Sequence, residues 1–196
     1  MSSTTSAPPL APHTRPEQRG RAAAVLVLAV FALNWSSWGL SAGLPRGVAL
    51  PATVLAVVCF VVLLVAGVQA WRRASGPPPG TGRLRGRAVG RRFGVVVALE
   101  LVGLCALALA LGRLGLTHLV PAAFCLGVGL HFFPLARLFH VRLYDVSGGA
   151  LCLLGLATVV LAPLTGVAAL WTALPGLGAA LTLYATCARL LSGARR

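Results

Sequence analysis

Two ionisable residues, Glu100 and His131, lie inside long apolar stretches of this sequence and could carry proton chemistry. In a helix, Glu100 would lie about 12 Å beyond Arg92 along the axis. His131 would lie about 9 Å before Arg137. Both side chains are therefore expected at a similar depth from the same side of a membrane.

An ionised side chain at the centre of a bilayer costs about 2.5–3.5 kcal/mol, so Glu100 should face other helices and be protonated, paired or hydrated. A Glu–His pair suits a proton relay because each group influences the other's pKa and histidine titrates near neutral pH. Gly103 and Gly127 lie one helical turn away and would allow close helix approach. The sequence predicts a proton or cation site, and the alternative is a neutral Glu100 bonded to another helix for packing.

Gln69 and Arg137 lie near the ends of their apolar runs and extend the candidate site. From depth alone, Gln69, Glu100, His131 and Arg137 could form a polar cluster open to the cytoplasm. Pro134 follows His131 on the same run and removes a backbone donor, which predicts a kink in that helix. Helix breaks in transporters line cavities, whereas a kink near a helix end has no functional meaning by itself.

Asn34 is the last candidate of the site. It shares a helix face with Ser37 and Ser41, because these residues follow it at helical spacings. The stripe either lines a cavity or holds neighbouring helices together, and the adhesive role is favoured.

The sequence predicts no catalytic residue, no metal and no cofactor. Its five cysteines fall within apolar runs, and their spacing does not match that of metal ligands or a redox pair. They are expected to be small packing residues.

Six apolar runs must position these residues. Hydrophobic residues make up 58% of the 196 residues and charged residues 10%, whereas soluble domains average about 45–50% and about 25%. The runs cover about 22–44, 48–71, 93–112, 116–136, 146–164 and 167–190. Each is long enough to cross a hydrocarbon core of about 30 Å as a helix. We therefore predict an all-α, integral membrane bundle of six transmembrane helices.

The charge distribution predicts the orientation. All 17 basic residues are Arg, the formal net charge is +14, and Arg-rich segments alternate with Arg-poor ones between the runs. The positive-inside rule then places both termini in the cytoplasm, in the plasma membrane. We expect anionic lipid at this face. A second copy of the chain or another membrane protein is a further candidate partner. Nucleic acid is not expected, because no soluble module with base-stacking aromatic residues is present.

The segments outside the runs are polar. We predict a disordered cytoplasmic tail over 1–21, an Arg/Pro/Gly-rich cytoplasmic link over 72–92 and a basic cytoplasmic tail over 191–196. The first run could alternatively be a signal peptide, but its length favours a span.

The Pro-rich tail, the six runs and the stretch GLHFFPLA at 129–136 resemble, in outline, uncharacterised six-span integral membrane proteins of high-GC actinobacteria. The resemblance implies the six-span fold. Such proteins carry no established activity, so it implies no catalytic residue.

Two functions are consistent with these features. One is a small proton- or cation-coupled carrier with its site in the inner half of the bundle. The other is a non-catalytic accessory or structural subunit that binds partner helices and anionic lipid. An enzyme that acts on lipid, with His131 as base, is the least favoured because no nucleophile or metal set accompanies the histidine.

Overall fold

The computed structural model describes residues 15–74 and 82–193, and within these ranges the chain is an all-α bundle of six long helices. They are α1 (Arg15–Leu40), α2 (Arg46–Arg73), α3 (Gly82–Arg113), α4 (Val120–Phe139), α5 (Arg142–Thr165) and α6 (Leu170–Ser192), with a short 3-10 helix (Thr117–Leu119) before α4. Each long helix contains a stretch long and apolar enough to cross a membrane. The predicted six-helix membrane bundle is confirmed.

Short links join most of these helices, and glycine and proline set where they end. Gly43 has a φ of 77°, and Gly166 has a φ of 67°. Residues that carry a side chain disfavour this backbone conformation. Pro45 directly precedes α2. Gly43 and Pro45 end α1 at Leu40, a few residues earlier than the apolar run predicts.

Helix α6 lies at the centre of the packing and contacts α1, α2, α4 and α5. The most extensive interfaces are α1–α6 and α4–α5. Both depend on glycine: Gly39 meets Gly176 backbone to backbone, and Gly129 meets Gly148 in the same way. Small residues allow this approach, which is how helices associate where apolar burial offers little driving force.

Contacts between helix ends define one end of the bundle. Arg21 Nη1 of α1 donates a hydrogen bond of 3.4 Å to the carbonyl oxygen of Gly193, directly after α6. The guanidinium of Arg19 lies 5.1 Å from the centre of the Trp71 ring near the end of α2. The start of α1 and the ends of α2 and α6 therefore lie together.

At three places the helices extend into segments that the sequence predicts as tails or as a link, which corrects the predicted boundaries. Residues 15–21 belong to α1, so this part of the predicted tail over 1–21 is helical, and residues 1–14 lie outside the described residues. The predicted link over 72–92 is helical at both ends, and its residues 75–81 also lie outside. Arginine has a high helix propensity, so a helix continues past its apolar segment. At the C-terminal end, α6 reaches Ser192, and residues 194–196 are not described.

Pro134 does not break α4, which runs without interruption to Phe139. The helix is therefore not interrupted next to His131. Pro134 lies close to the C-terminal end of the helix, and proline removes one backbone donor there, a loss that the remaining hydrogen bonds of α4 tolerate.

Candidate functional site

Glu100 projects from α3 towards α4. Its side chain is 18% exposed, whereas the neighbouring Leu99 is 69% exposed on the outer surface of the same helix. The described part of α3 packs chiefly against α4. Glu100, the one acidic residue of α3, therefore lies on the inner side of the helix, and apolar residues of α3 cover the outer side.

His131 on α4 meets this carboxylate. The imidazole Nδ1 lies 3.1 Å from Oε2 of Glu100, and the His131 side chain is 9% exposed. Nδ1 is buried and has no hydrogen-bond partner among the described residues, so its contact with Oε2 is close without having the geometry of a hydrogen bond. An ionised carboxylate and an unprotonated ring nitrogen both only accept hydrogen bonds, so a bond between them requires one proton, held by either group.

Apolar contacts enclose the pair on both sides along the α3–α4 interface. Towards one end, the rings of Phe93 and Phe139 pack edge to face with their centres 6.0 Å apart. Towards the other end, Leu104 packs against Gly127, where an added methyl group would lie 2.5 Å from the leucine side chain. The three contacts lie one after another along the antiparallel helices α3 and α4, and the Glu100–His131 contact is the middle one.

One of the two glycines predicted to permit close approach does so. Gly127 accommodates Leu104, whereas Gly103 faces open space, with no atom within 4 Å of the position that a Cβ would take. The prediction for Gly103 was wrong because rotation of α3 about its axis places this face on the outside.

Gln69, Arg137 and Asn34 lie apart from the pair. Gln69 is exposed on α2 and lines a cavity between α1, α2 and α6. Arg137 is exposed in the last turn of α4. The structure therefore brings together Glu100 and His131 but does not form the predicted four-residue cluster.

Asn34 and Ser37 are exposed on α1, and Ser41 is exposed directly after its end. Ser37 donates to the carbonyl oxygen of Leu33 and Ser41 to that of Trp38, both within the same helix segment. These two hydroxyl groups therefore bond to the backbone of their own segment and not to a neighbouring helix.

Other polar contacts between helices were not predicted. Ser147 of α5 and Thr186 of α6 are buried and share a hydrogen bond of 2.7 Å. The Tyr184 hydroxyl of α6 donates to the carbonyl oxygen of Ala56 in α2 at 3.0 Å. Thr182 and Thr186 share a face of α6, and this spacing is a weak indication of a polar contact. The helix that Thr186 contacts cannot be derived from the spacing.

Cysteines contribute to packing in the same way. All five are free thiols. Cys125 donates to the carbonyl oxygen of Leu151 at 3.3 Å, and Cys187 donates to that of Val25 at 3.6 Å. In the described part of the chain, His, Cys, Asp and Glu side chains form no group of three or more that could hold a metal ion.

No family model, curated protein or solved structure matches this chain. Among the described residues, the Glu100–His131 pair brings two ionisable side chains within 3.1 Å of each other inside a membrane-spanning interface.

Proposed function

We propose that this protein is a small proton- or cation-coupled carrier of the plasma membrane, and that the Glu100–His131 pair is its ion-binding site. The contact of 3.1 Å between Nδ1 and Oε2, within a membrane-spanning interface, carries the proposal. Ionisable side chains in such segments commonly mark proton or ion pathways because their burial is costly.

The pair has the capacity that such a site needs. It holds two atoms that can each accept a proton, and one shared proton satisfies both. Loss of that proton leaves a negative charge between the helices, which a cation entering the site would compensate. This exchange couples proton release to cation binding.

The position of α3 supports a site that opens and closes. Its described span from Phe93 to Arg113 contains no fully buried residue, and its main neighbour is α4. Elements with few buried contacts open at the lowest free-energy cost. Separation of α3 from α4 would expose both members of the pair together.

The orientation is part of the same proposal. Both termini lie in the cytoplasm, as the alternation of Arg-rich segments favours. The contacts of Arg21 with Gly193 and of Arg19 with Trp71 support a common side for three Arg-bearing helix ends. In outline the chain resembles six-span proteins of high-GC actinobacteria, and their plasma membrane is its proposed location.

Proton flux into proteoliposomes tests the proposal. The full chain is reconstituted with a trapped pH-sensitive dye, and flux is measured under an imposed proton gradient with and without Na⁺ or K⁺. We expect Glu100→Gln to reduce flux at least about tenfold, because general acid–base groups contribute on the order of 10²–10⁴-fold to proton transfer. The amide of Gln can still donate to Nδ1, so the variant should fold.

Asp145→Asn is the matched control, because Asp145 is an exposed carboxylate in the first turn of α5. It should leave flux unchanged. Equal flux in wild type and Glu100→Gln, or wild-type flux no greater than that of empty liposomes, would refute the carrier function.

The second candidate function is an accessory subunit, and the outer surface of α3 favours it. Leu99, Leu101, Val102 and Leu109 are all more than three-fifths exposed there. A photocrosslinking residue in place of Val102 would report what covers this surface in cells. One defined protein adduct, lost on replacement of Leu109 by Trp, supports a subunit. Adducts with lipid alone contradict it.

A further inference from the structure

A cavity of about 150 Å³ lies between α1, α2 and α6, at the end of the bundle where Arg21 meets Gly193. Its polar lining comes from two helices: Gln18 and Arg21 of α1, and Gln69 and Arg73 of α2. Leu190 and Leu191 of α6 form part of its apolar wall. The cavity is separate from the Glu100–His131 pair, which lies on α3 and α4.

The charge at this cavity is positive. Two guanidinium groups line it, and no carboxylate is among the described residues of its lining. Arg21 makes one long hydrogen bond of 3.4 Å through Nη1, whereas a guanidinium has five N–H donors in a planar fork. The contact with Gly193 therefore holds Arg21 in place and leaves donors for an anion.

Arg19 adds positive charge at the same end. Its guanidinium lies over the ring of Trp71, which follows the lining residue Ala70 on α2. Its Nε is buried and has no hydrogen-bond partner among the described residues. Tryptophan is enriched at the level of lipid headgroups, so this contact indicates the depth of the cavity in a membrane.

We propose that this cavity binds the phosphate group of an anionic membrane phospholipid. Arg21 and Arg73 approach the phosphate oxygens from two helices, and Gln69 supplies an amide donor. Arginine suits this role because its planar fork matches phosphate geometry and is more weakly hydrated than an ammonium group.

The apolar wall selects a lipid over free phosphate. Ala66, Ala70 and Leu191 line the same cavity and remain partly exposed, so they form an accessible apolar wall beside the arginines. Inorganic phosphate has no carbon atoms that could pack against such a wall, whereas the glycerol and acyl carbons of a lipid would contact it. The inference gives the anionic lipid proposed as a partner a defined site, and it does not depend on the proton function.

Lipid binding to the purified full chain tests this. Native mass spectrometry in a neutral detergent would follow titration with phosphatidylglycerol, and separately with phosphatidylcholine. Wild type should retain one phosphatidylglycerol molecule with higher affinity than phosphatidylcholine. Arg73→Gln should weaken phosphatidylglycerol binding about fivefold, and Arg21→Gln/Arg73→Gln more than about tenfold, because charge near anionic lipid is lost.

Arg72→Gln is the matched control. It removes the same charge from the neighbouring residue, which is exposed but does not line the cavity. Glu100→Gln should also bind lipid normally, so failure of the carrier function would not affect this result. The Arg73 single variant keeps the test valid if loss of Arg21 destabilises the fold, which thermal unfolding would reveal.

Three results would overturn the proposal. Arg72→Gln could weaken binding as much as Arg73→Gln, which would indicate a diffuse surface effect. Wild type could bind phosphatidylcholine as tightly as phosphatidylglycerol. Finally, inorganic phosphate at about equal concentration could displace the lipid, which would make free phosphate the ligand.

Discussion

Gly129 of α4 and Gly148 of α5 touch through their backbones. A methyl group on Gly148 would lie 2.7 Å from the carbonyl oxygen of Gly129, closer than side-chain carbons approach in real proteins. The next residue, Gly149, faces open space. Two adjacent glycines of one helix therefore have opposite roles: one permits an interface and the other does not.

Gly148→Ala should destabilise the bundle by about 1–3 kcal/mol, because the added methyl group forces α4 and α5 apart. Gly149→Ala should be neutral or stabilise by up to about 1 kcal/mol, since alanine has the higher helix propensity. Unfolding by SDS in mixed micelles measures both. Equal effects of the two variants would show that the close approach at Gly148 is absent in solution.

The hydrogen bond between Ser147 and Thr186 should couple α5 to α6. Interhelical bonds of this kind contribute about 0.6 kcal/mol on average in membrane proteins and about 1.7 kcal/mol at most. A double-mutant cycle of Ser147→Ala and Thr186→Ala should give an interaction energy in that range.

Thr182→Ala is the control for this cycle, because Thr182 bonds within α6 to the carbonyl oxygen of Gly178. Its effect should add to that of Ser147→Ala. Strict additivity of Ser147→Ala and Thr186→Ala would instead mean that the two hydroxyl groups do not bond.

Glu100 and His131 should also show an interaction energy in a double-mutant cycle. Glu100→Leu removes the carboxylate 3.1 Å from the buried ring nitrogen and should cost about 1–3 kcal/mol. Adding His131→Leu removes the unsatisfied group, so the double variant should be more stable than Glu100→Leu alone. The free energy of unfolding in mixed micelles decides this. A double variant less stable than Glu100→Leu would contradict a direct bond.

His140 ends α4 in a left-handed conformation with a φ of 55°. A residue with a Cβ is disfavoured there by about 1–2 kcal/mol, and glycine is the usual residue at this position. His140→Gly should stabilise the protein by about 0.5–1 kcal/mol after the greater chain entropy of glycine in the unfolded state is subtracted. His140→Val should destabilise it. A thermal shift in the same direction for both variants would refute the strained turn.

The depth of the two central site residues could be predicted, and their contact could not. The rise of a helix converts distance from Arg92 and Arg137 into depth, so Glu100 and His131 were expected at one level. Gln69 was expected at a similar position near the same side. It lies elsewhere because α2 packs against α1 and α6, whereas α3 packs chiefly against α4.

By itself, the sequence determined the number, length and composition of the spans, since an apolar run must satisfy its backbone hydrogen bonds within one helix. Only the tertiary structure decided which helices are neighbours and which faces meet. The apolar runs consist mostly of Ala, Val, Leu and Gly on all sides, so no amphipathic pattern marks the inner face. Which helix faces meet depends on how closely individual residues pack, such as Gly39 against Gly176 and Leu104 against Gly127. This packing places Glu100 within reach of His131.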